Sequence, residues 1–163
     1  PNGRGTSNCY SWDFAQNDIS EAIDAVCQSY SIDKDNLLLT GFSMGGYGVY
    51  RTFLEMPHRF KAFAIFSGHP NLANQWSGED NLYPDFTKKQ YLKKFKNVPI
   101  FIFHGKEDRN CSFETTEEII KILNNLGAKV KFVTEENKGH EAPGQETILE
   151  YNEWVKKTML NKK

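Results

Sequence analysis

The run Leu37-Leu38-Leu39-Thr40 passes straight into Gly41-Phe42-Ser43-Met44-Gly45. Beyond it Tyr47, Tyr50, Phe53 and Leu54 recur at helical spacing until Pro57. A short apolar run ending in glycine reads as a strand buried on both faces, and the 3.6-residue recurrence as a helix. A serine in G-x-S-x-G between a strand and a helix therefore sits on a sharp, strained turn. Small neighbours are expected two residues either side of it, where larger side chains would collide. The free N–H groups and positive end of the following helix point at the same place. Gly46 and Gly48 leave room for close helix packing.

The alternation repeats along the chain. Ile19, Ala22, Ile23, Val26 and Tyr30 predict a helix with one buried face, capped by Asp18. Ala62–Ser67 and Pro99–His104 read as buried strands, and Val130–Val133 as a fourth. Residues 71–87, with Trp76, Tyr83 and Phe86, lack periodicity and read as a long loop, a kind that is usually functional or disordered. A short basic helix spans Lys88–Phe95. Ser112 caps another that carries Ile119, Ile120, Ile122, Leu123 and Leu126 and closes at Gly127. Ile148, Tyr151, Val155 and Met159 mark a terminal helix. The first dozen residues, PNGRGTSNCYSW, read as loop. Strands separated by helices predict an α/β chain: one domain over 1–163, a parallel sheet with helices on both faces.

In open α/β sheets chemistry gathers beyond the carboxyl ends of the strands. After the first strand stands Ser43. After the third come Glu107 and Asp108, in His104-Gly105-Lys106-Glu107-Asp108, and either could orient an imidazole. Past the fourth, Lys138-Gly139-His140-Glu141 puts a histidine in a loop. A serine nucleophile at neutral pH needs a base titrating near 7. Of the four histidines, His140 is the one placed for it. His58 reads as surface, His104 as a packed strand residue, and His69, after the second strand, as a residue that could line the site. Ser…Asp…His is the chain order of one hydrolase fold.

Charge is balanced: 20 Lys plus Arg against 21 Asp plus Glu. That leaves no basic footprint for nucleic acid and none for an anionic membrane. No apolar run is long enough to span a bilayer. Cys9, Cys27 and Cys111 form no C-x-x-C pair and read as free thiols, which favours the cytoplasm, with a removed leader still open. Gly46-Tyr47-Gly48 is followed by Val49-Tyr50-Arg51, so a dinucleotide fingerprint fails at its last glycine.

The run GFSMGGYGVYRTFLEMPHRFKAFAIFSGHPN resembles the esterase branch of the α/β-hydrolase superfamily. Feruloyl-esterase-like and dienelactone-hydrolase-like proteins belong to that branch, and prolyl-oligopeptidase-type peptidases are its neighbours. The resemblance implies Ser43 as nucleophile, Asp108 as triad acid, His140 as base, and the Met44 N–H as an oxyanion-hole donor. It implies a small-molecule ester as substrate, with no metal and no organic cofactor. His69 and Trp76 are candidates for the substrate pocket. A peptidase of prolyl-oligopeptidase type and a non-catalytic hydrolase-like domain are the rival readings. The family's sheet usually has eight strands and this chain accounts for the last four. The resemblance thus implies a C-terminal portion of the fold, with a second oxyanion donor carried upstream. It also implies an apolar edge on the first strand that invites self-association.

Overall fold

Alternate residues of the strands supply two cores. In the computed structural model, which describes residues 9–160, strands β1 (Leu38–Phe42), β2 (Ala62–Phe66), β3 (Pro99–Gly105) and β4 (Lys129–Glu135) form one sheet. Its order is β1-β2-β3-β4, and every pairing is parallel. The helices are α1 (Asp13–Ser29), α2 (Met44–Glu55), α3 (Leu72–Ser77), α4 (Lys89–Leu92), α5 (Phe113–Asn125) and α6 (Gln145–Val155). Phe63, Ile65, Ile100 and Ile102 enter the larger core, with Tyr47, Tyr50 and Phe53 of α2 and Ile119 and Leu123 of α5. The intervening Ala64, Phe101 and Phe103 face the opposite side, where Tyr151 and Trp154 of α6 cover them. Helices therefore lie on both faces, as the alternation predicts. Among the described residues no helix is long and apolar enough to cross a membrane.

Two expectations need correction. Helix α1 begins at Asp13, with Trp12 at its N-cap position, so Asp18 lies inside the helix and not at its start. Nor is its apolar face buried: Ala15 and Gln16 are the buried positions, while Val26 is 48% and Tyr30 69% exposed. The same cause makes β1 half-exposed instead of buried on both faces. It is the edge strand, so α1 has only one flank of sheet to cover. Ile23 and Val26 of α1 instead line an open apolar groove of ≈ 380 Å³ with Ile32, Leu38 and Phe60.

The stretch 71–87 is not all loop. It contains α3, and Asn74 holds the return by hydrogen bonds to the backbone N–H and carbonyl of Tyr83. Phe86 is fully buried and stacks on Tyr50 at 5.2 Å, which makes it a core residue. The Lys88–Phe95 helix resolves into α4 and a 3-10 turn over Lys93–Phe95. Ser112 caps α5 as expected, accepting from the Thr115 N–H at 3.1 Å, and Gly127 follows with φ 81°. Cys9 and Cys111 are buried and Cys27 half-buried, all three free. Residues 1–8 of the expected N-terminal loop lie outside the described residues.

Candidate active site

Strand β1 delivers Phe42 to the sheet's carboxyl edge, and the chain turns into α2 at Ser43, with φ 54° and ψ −116°. A non-glycine residue held there costs of order 1–3 kcal/mol and persists because its surroundings over-determine it. The Ser43 N–H donates to the Phe66 carbonyl at 2.9 Å, and its own carbonyl accepts from the Gly46 N–H at 2.9 Å. A Cβ on Gly41 would overlap the Gly45 carbonyl oxygen, so crowding demands glycine at that position. Gly45 differs from expectation, since a Cβ there meets nothing within 4 Å. Gly46 packs against Gly68, with an added Cβ 2.5 Å from the Gly68 Cα.

Strand β3 ends at Gly105, and a Cβ there would overlap the Lys138 carbonyl oxygen. This close approach lets the loop after β4 fold over the loop after β3. The Glu107 N–H donates to the Lys138 carbonyl at 2.9 Å, and the Lys106 N–H to that of Glu135 at 3.0 Å. His140 is thereby carried to Asp108 and Ser43. Its Nδ1 lies 2.8 Å from Asp108 Oδ2 and its Nε2 2.7 Å from Ser43 Oγ. The His140 ring leans on Phe42, centroids 4.9 Å apart.

Asp108 is buried, while Glu107 is exposed on the same turn. The structure thus brings Asp108 and not Glu107 to the imidazole. Burial alone would raise the Asp108 pKa. The Cys111 N–H, the His140 ring and the Asn110 N–H outweigh that and hold it below the usual carboxylate value. Both backbone donors reach Oδ1 at 2.9 Å. Hydrogen bonds to the charged form favour it in this way.

Met44 is the first residue of α2, where helical N–H groups lack intrahelical acceptors. His69 is half-buried, with Nδ1 enclosed and unpartnered. Burial lowers its pKa, against a hydrogen bond with Gln75 and the Asp108 charge, which favour the protonated ring. Trp76 is 61% exposed on α3 and lines a cavity of ≈ 300 Å³ with Cys9, Ser11, Trp12, Ala73, Ser77 and Tyr83. Ser43, Asp108 and His140 are not among that cavity's lining residues. His58 is exposed and His104 fully buried, as their positions predict.

Sequence reasoning passed over His104 as a neighbour of the acid and Gly105 as the seat of the base loop. A glycine immediately after a strand, opposite a lysine-glycine loop, was the available signal. Asp108, Cys111 and His140 place three ligand-type atoms within 4.8 Å of one another. Asp108 and His140 are already bonded to each other. Burial, with the Asp108 charge, pushes the Cys111 thiol up to about 12. The trio therefore suits the hydrogen-bond chain better than a cation.

Comparison with known proteins agrees with this architecture. The bifunctional acetylxylan esterase/xylanase XynS20E of Neocallimastix patriciarum is 30% identical over 122 residues, covering 72% of this chain and 16% of that protein. The uncharacterized peptidase YuxL of Bacillus subtilis is 28% identical over 141 residues, 76% of this chain and 21% of that one. Among solved structures, the acylaminoacyl peptidase of Pyrococcus horikoshii superposes with TM-score 0.71 at 18% identity, over 91% of this chain and 28% of its own. Arabidopsis thaliana SOBER1 does so with TM-score 0.63 at 21% identity, over 88% of this chain and 62% of its own. These likenesses establish the α/β-hydrolase fold. The chain spans only a fraction of the length of each relative. Residues 2–160 match the prolyl oligopeptidase family, and the chain belongs to it.

Proposed function

We propose that this protein is a serine hydrolase that cleaves carboxylic esters through an acyl-enzyme intermediate, with Ser43 as nucleophile, His140 as general base and acid, and Asp108 as the group that orients His140. The observation that carries this reading is the unbroken hydrogen-bond chain from Asp108 Oδ2 through His140 to Ser43 Oγ. His140 Nε2 takes the hydroxyl proton as Ser43 Oγ attacks the carbonyl carbon, and the ionised Asp108 stabilises the imidazolium that results. The Met44 N–H, at the positive end of α2, faces the negative oxygen of the tetrahedral intermediate. His140 then gives its proton to the leaving alcohol, and a water deprotonated by the same ring releases the acid. The scheme draws on side chains and backbone alone. We assign His69, in the turn after β2, and Trp76, on α3, to the substrate pocket.

The peptidase reading has its own support, in the family match and in the peptidases among the relatives. The two share a triad and differ in the leaving group. A serine-directed phosphonate is expected to label Ser43, and Ser43→Ala is expected to abolish labelling and lower kcat by at least about 10⁴-fold. Rates on a short-chain nitrophenyl ester and an aminoacyl nitroanilide then separate esterase from peptidase. Labelling at another serine, undiminished in Ser43→Ala, overturns the assignment; no labelling at all favours a non-catalytic domain.

A further inference from the structure

A buried imidazole is costly unless both ring nitrogens find partners. His104, next to last in β3 and fully buried, finds three. Its Nδ1 lies 2.8 Å from Thr116 Oγ1 on α5, and its Nε2 lies 3.0 Å from the Cys111 carbonyl oxygen and 3.2 Å from Asp108 Oδ2. A carbonyl and a carboxylate can only accept, so the ring proton is on Nε2, donated to the Cys111 carbonyl with the Asp108 carboxylate beside it. Nδ1 is then an acceptor, and the Thr116 hydroxyl donates to it. The Phe113 ring packs edge-on against the imidazole, centroids 6.0 Å apart. The ring thus has one tautomer and one orientation.

This completes the surroundings of Asp108. A carboxylate offers about four lone-pair positions. Oδ1 receives the Asn110 and Cys111 N–H groups and Oδ2 receives His140 Nδ1–H, while His104 Nε2, bonded to the Cys111 carbonyl, stands 3.2 Å from the same Oδ2. The two imidazoles meet at one oxygen, which fixes the plane of the carboxylate and so the direction in which it holds His140. We propose that His104 is a positioning residue for the hydrolytic reaction, acting through Asp108, with Thr116 setting the tautomer that makes it a donor. The proposal rests on the reading of Asp108, His140 and Ser43 given above.

The test compares His104→Phe, which fills the space without a donor, with His104→Gln, whose amide retains one, and with Thr116→Val. Three quantities are read: kcat and KM on a nitrophenyl ester, and the downfield proton resonance of the His140 Nδ1–H bond to Asp108. His104→Phe is expected to lower kcat about 10–100-fold, the size of a lost hydrogen bond to a charged group, with KM little changed. It is also expected to shift or broaden the downfield proton. His104→Gln is expected to recover most of both, and Thr116→Val to move them the same way by less. A folded His104→Phe with wild-type kcat and an unmoved proton overturns the proposal, as does equal loss in Phe and Gln variants. If His104→Phe does not fold, an unmoved proton and unchanged kcat in Thr116→Val overturn it instead. An active Asp108→Asn would defeat the underlying site, whereas an inactive Asp108→Asn beside a fully active His104→Phe would defeat this proposal alone.

Discussion

Gly41 and Gly45 flank Ser43 symmetrically in sequence but not in space: a Cβ on Gly41 would overlap the Gly45 carbonyl, whereas a Cβ on Gly45 meets no atom within 4 Å. Gly41→Ala must therefore push β1 away from the first turn of α2 and disturb the strained backbone at Ser43. Its expected outcome is a large drop in melting temperature and loss of phosphonate labelling. Gly45→Ala lies in a helix, where alanine is favoured over glycine by about 0.5–1 kcal/mol. Its melting temperature is expected to hold or rise. Thermal denaturation of the two variants checks the asymmetry.

Asp108 and Glu107 are neighbours with opposite environments. Asp108→Asn replaces a carboxylate that accepts from His140 with an amide that cannot stabilise the imidazolium, so a loss in kcat of about 10⁴-fold is expected. Glu107→Gln alters an exposed side chain and is expected to stay within about 0.5 kcal/mol of the parent in stability, with activity retained. Steady-state kinetics on both variants decides the assignment.

Acid should destabilise the protein in two stages. His104 has its pKa lowered from 6.5, mainly by burial. The unfolded chain then takes up a proton that the folded one refuses, and stability declines as pH falls below about 6.5. His69, lowered by burial as well, acts in the same direction. Asp108 has its pKa lowered from 3.8. Its contribution is present above about pH 4 and is lost as pH falls through the lower folded value. Melting temperatures measured from pH 7 downward are expected to fall more gently in His104→Gln through the upper stage. Asp108→Asn is expected to shrink the lower stage, to which Glu135, held low against burial by the Thr147 hydroxyl and the Gly144 N–H, also contributes.

The groove between α1 and β1 is apolar and open, and β1 presents an edge. Such an edge templates pairing with another chain. The 163-residue chain by itself is expected to scatter light at a mass above its 18.7 kDa monomer. Val26→Lys with Ile32→Lys, which charges the exposed lining of the groove, is expected to lower that mass. A monodisperse monomer from the parent chain would refute the expectation.

Much of the site was legible because each part carries a local signature. Ser43 lies in a motif whose backbone demands are written in Gly41, and Ser112 caps α5 as its position before an apolar periodicity predicts. The four strands stand where apolar runs end in turns. What was not legible depends on neighbours distant in sequence. The burial of α1 is set by sheet on only one flank, which the periodicity of Ile19, Ala22, Ile23 and Val26 cannot reveal. The residues alone leave Glu107 and Asp108 open and the family resemblance chooses Asp108; the physical reason lies in the backbone N–H groups of Asn110 and Cys111, which hold that side chain and leave the other outside. The fate of Trp76 and Phe86, one exposed and one at the centre of the core, follows from how Asn74 folds the chain back on itself.

The loop that carries His140 is fastened to the end of β3 chiefly by main-chain bonds, from Lys106 and Glu107 to Glu135 and Lys138, by the missing side chain of Gly105, and by one ion pair, Lys106 to Glu136 at 2.6 Å. A seat built from backbone is indifferent to most side chains around it. Asn137 and Glu141, exposed on the same loop, can change identity over generations without displacing His140. Exchange at those two positions is therefore expected to leave the Ser43–His140–Asp108 geometry in place, and a library randomised there would vary selectivity before it eroded turnover.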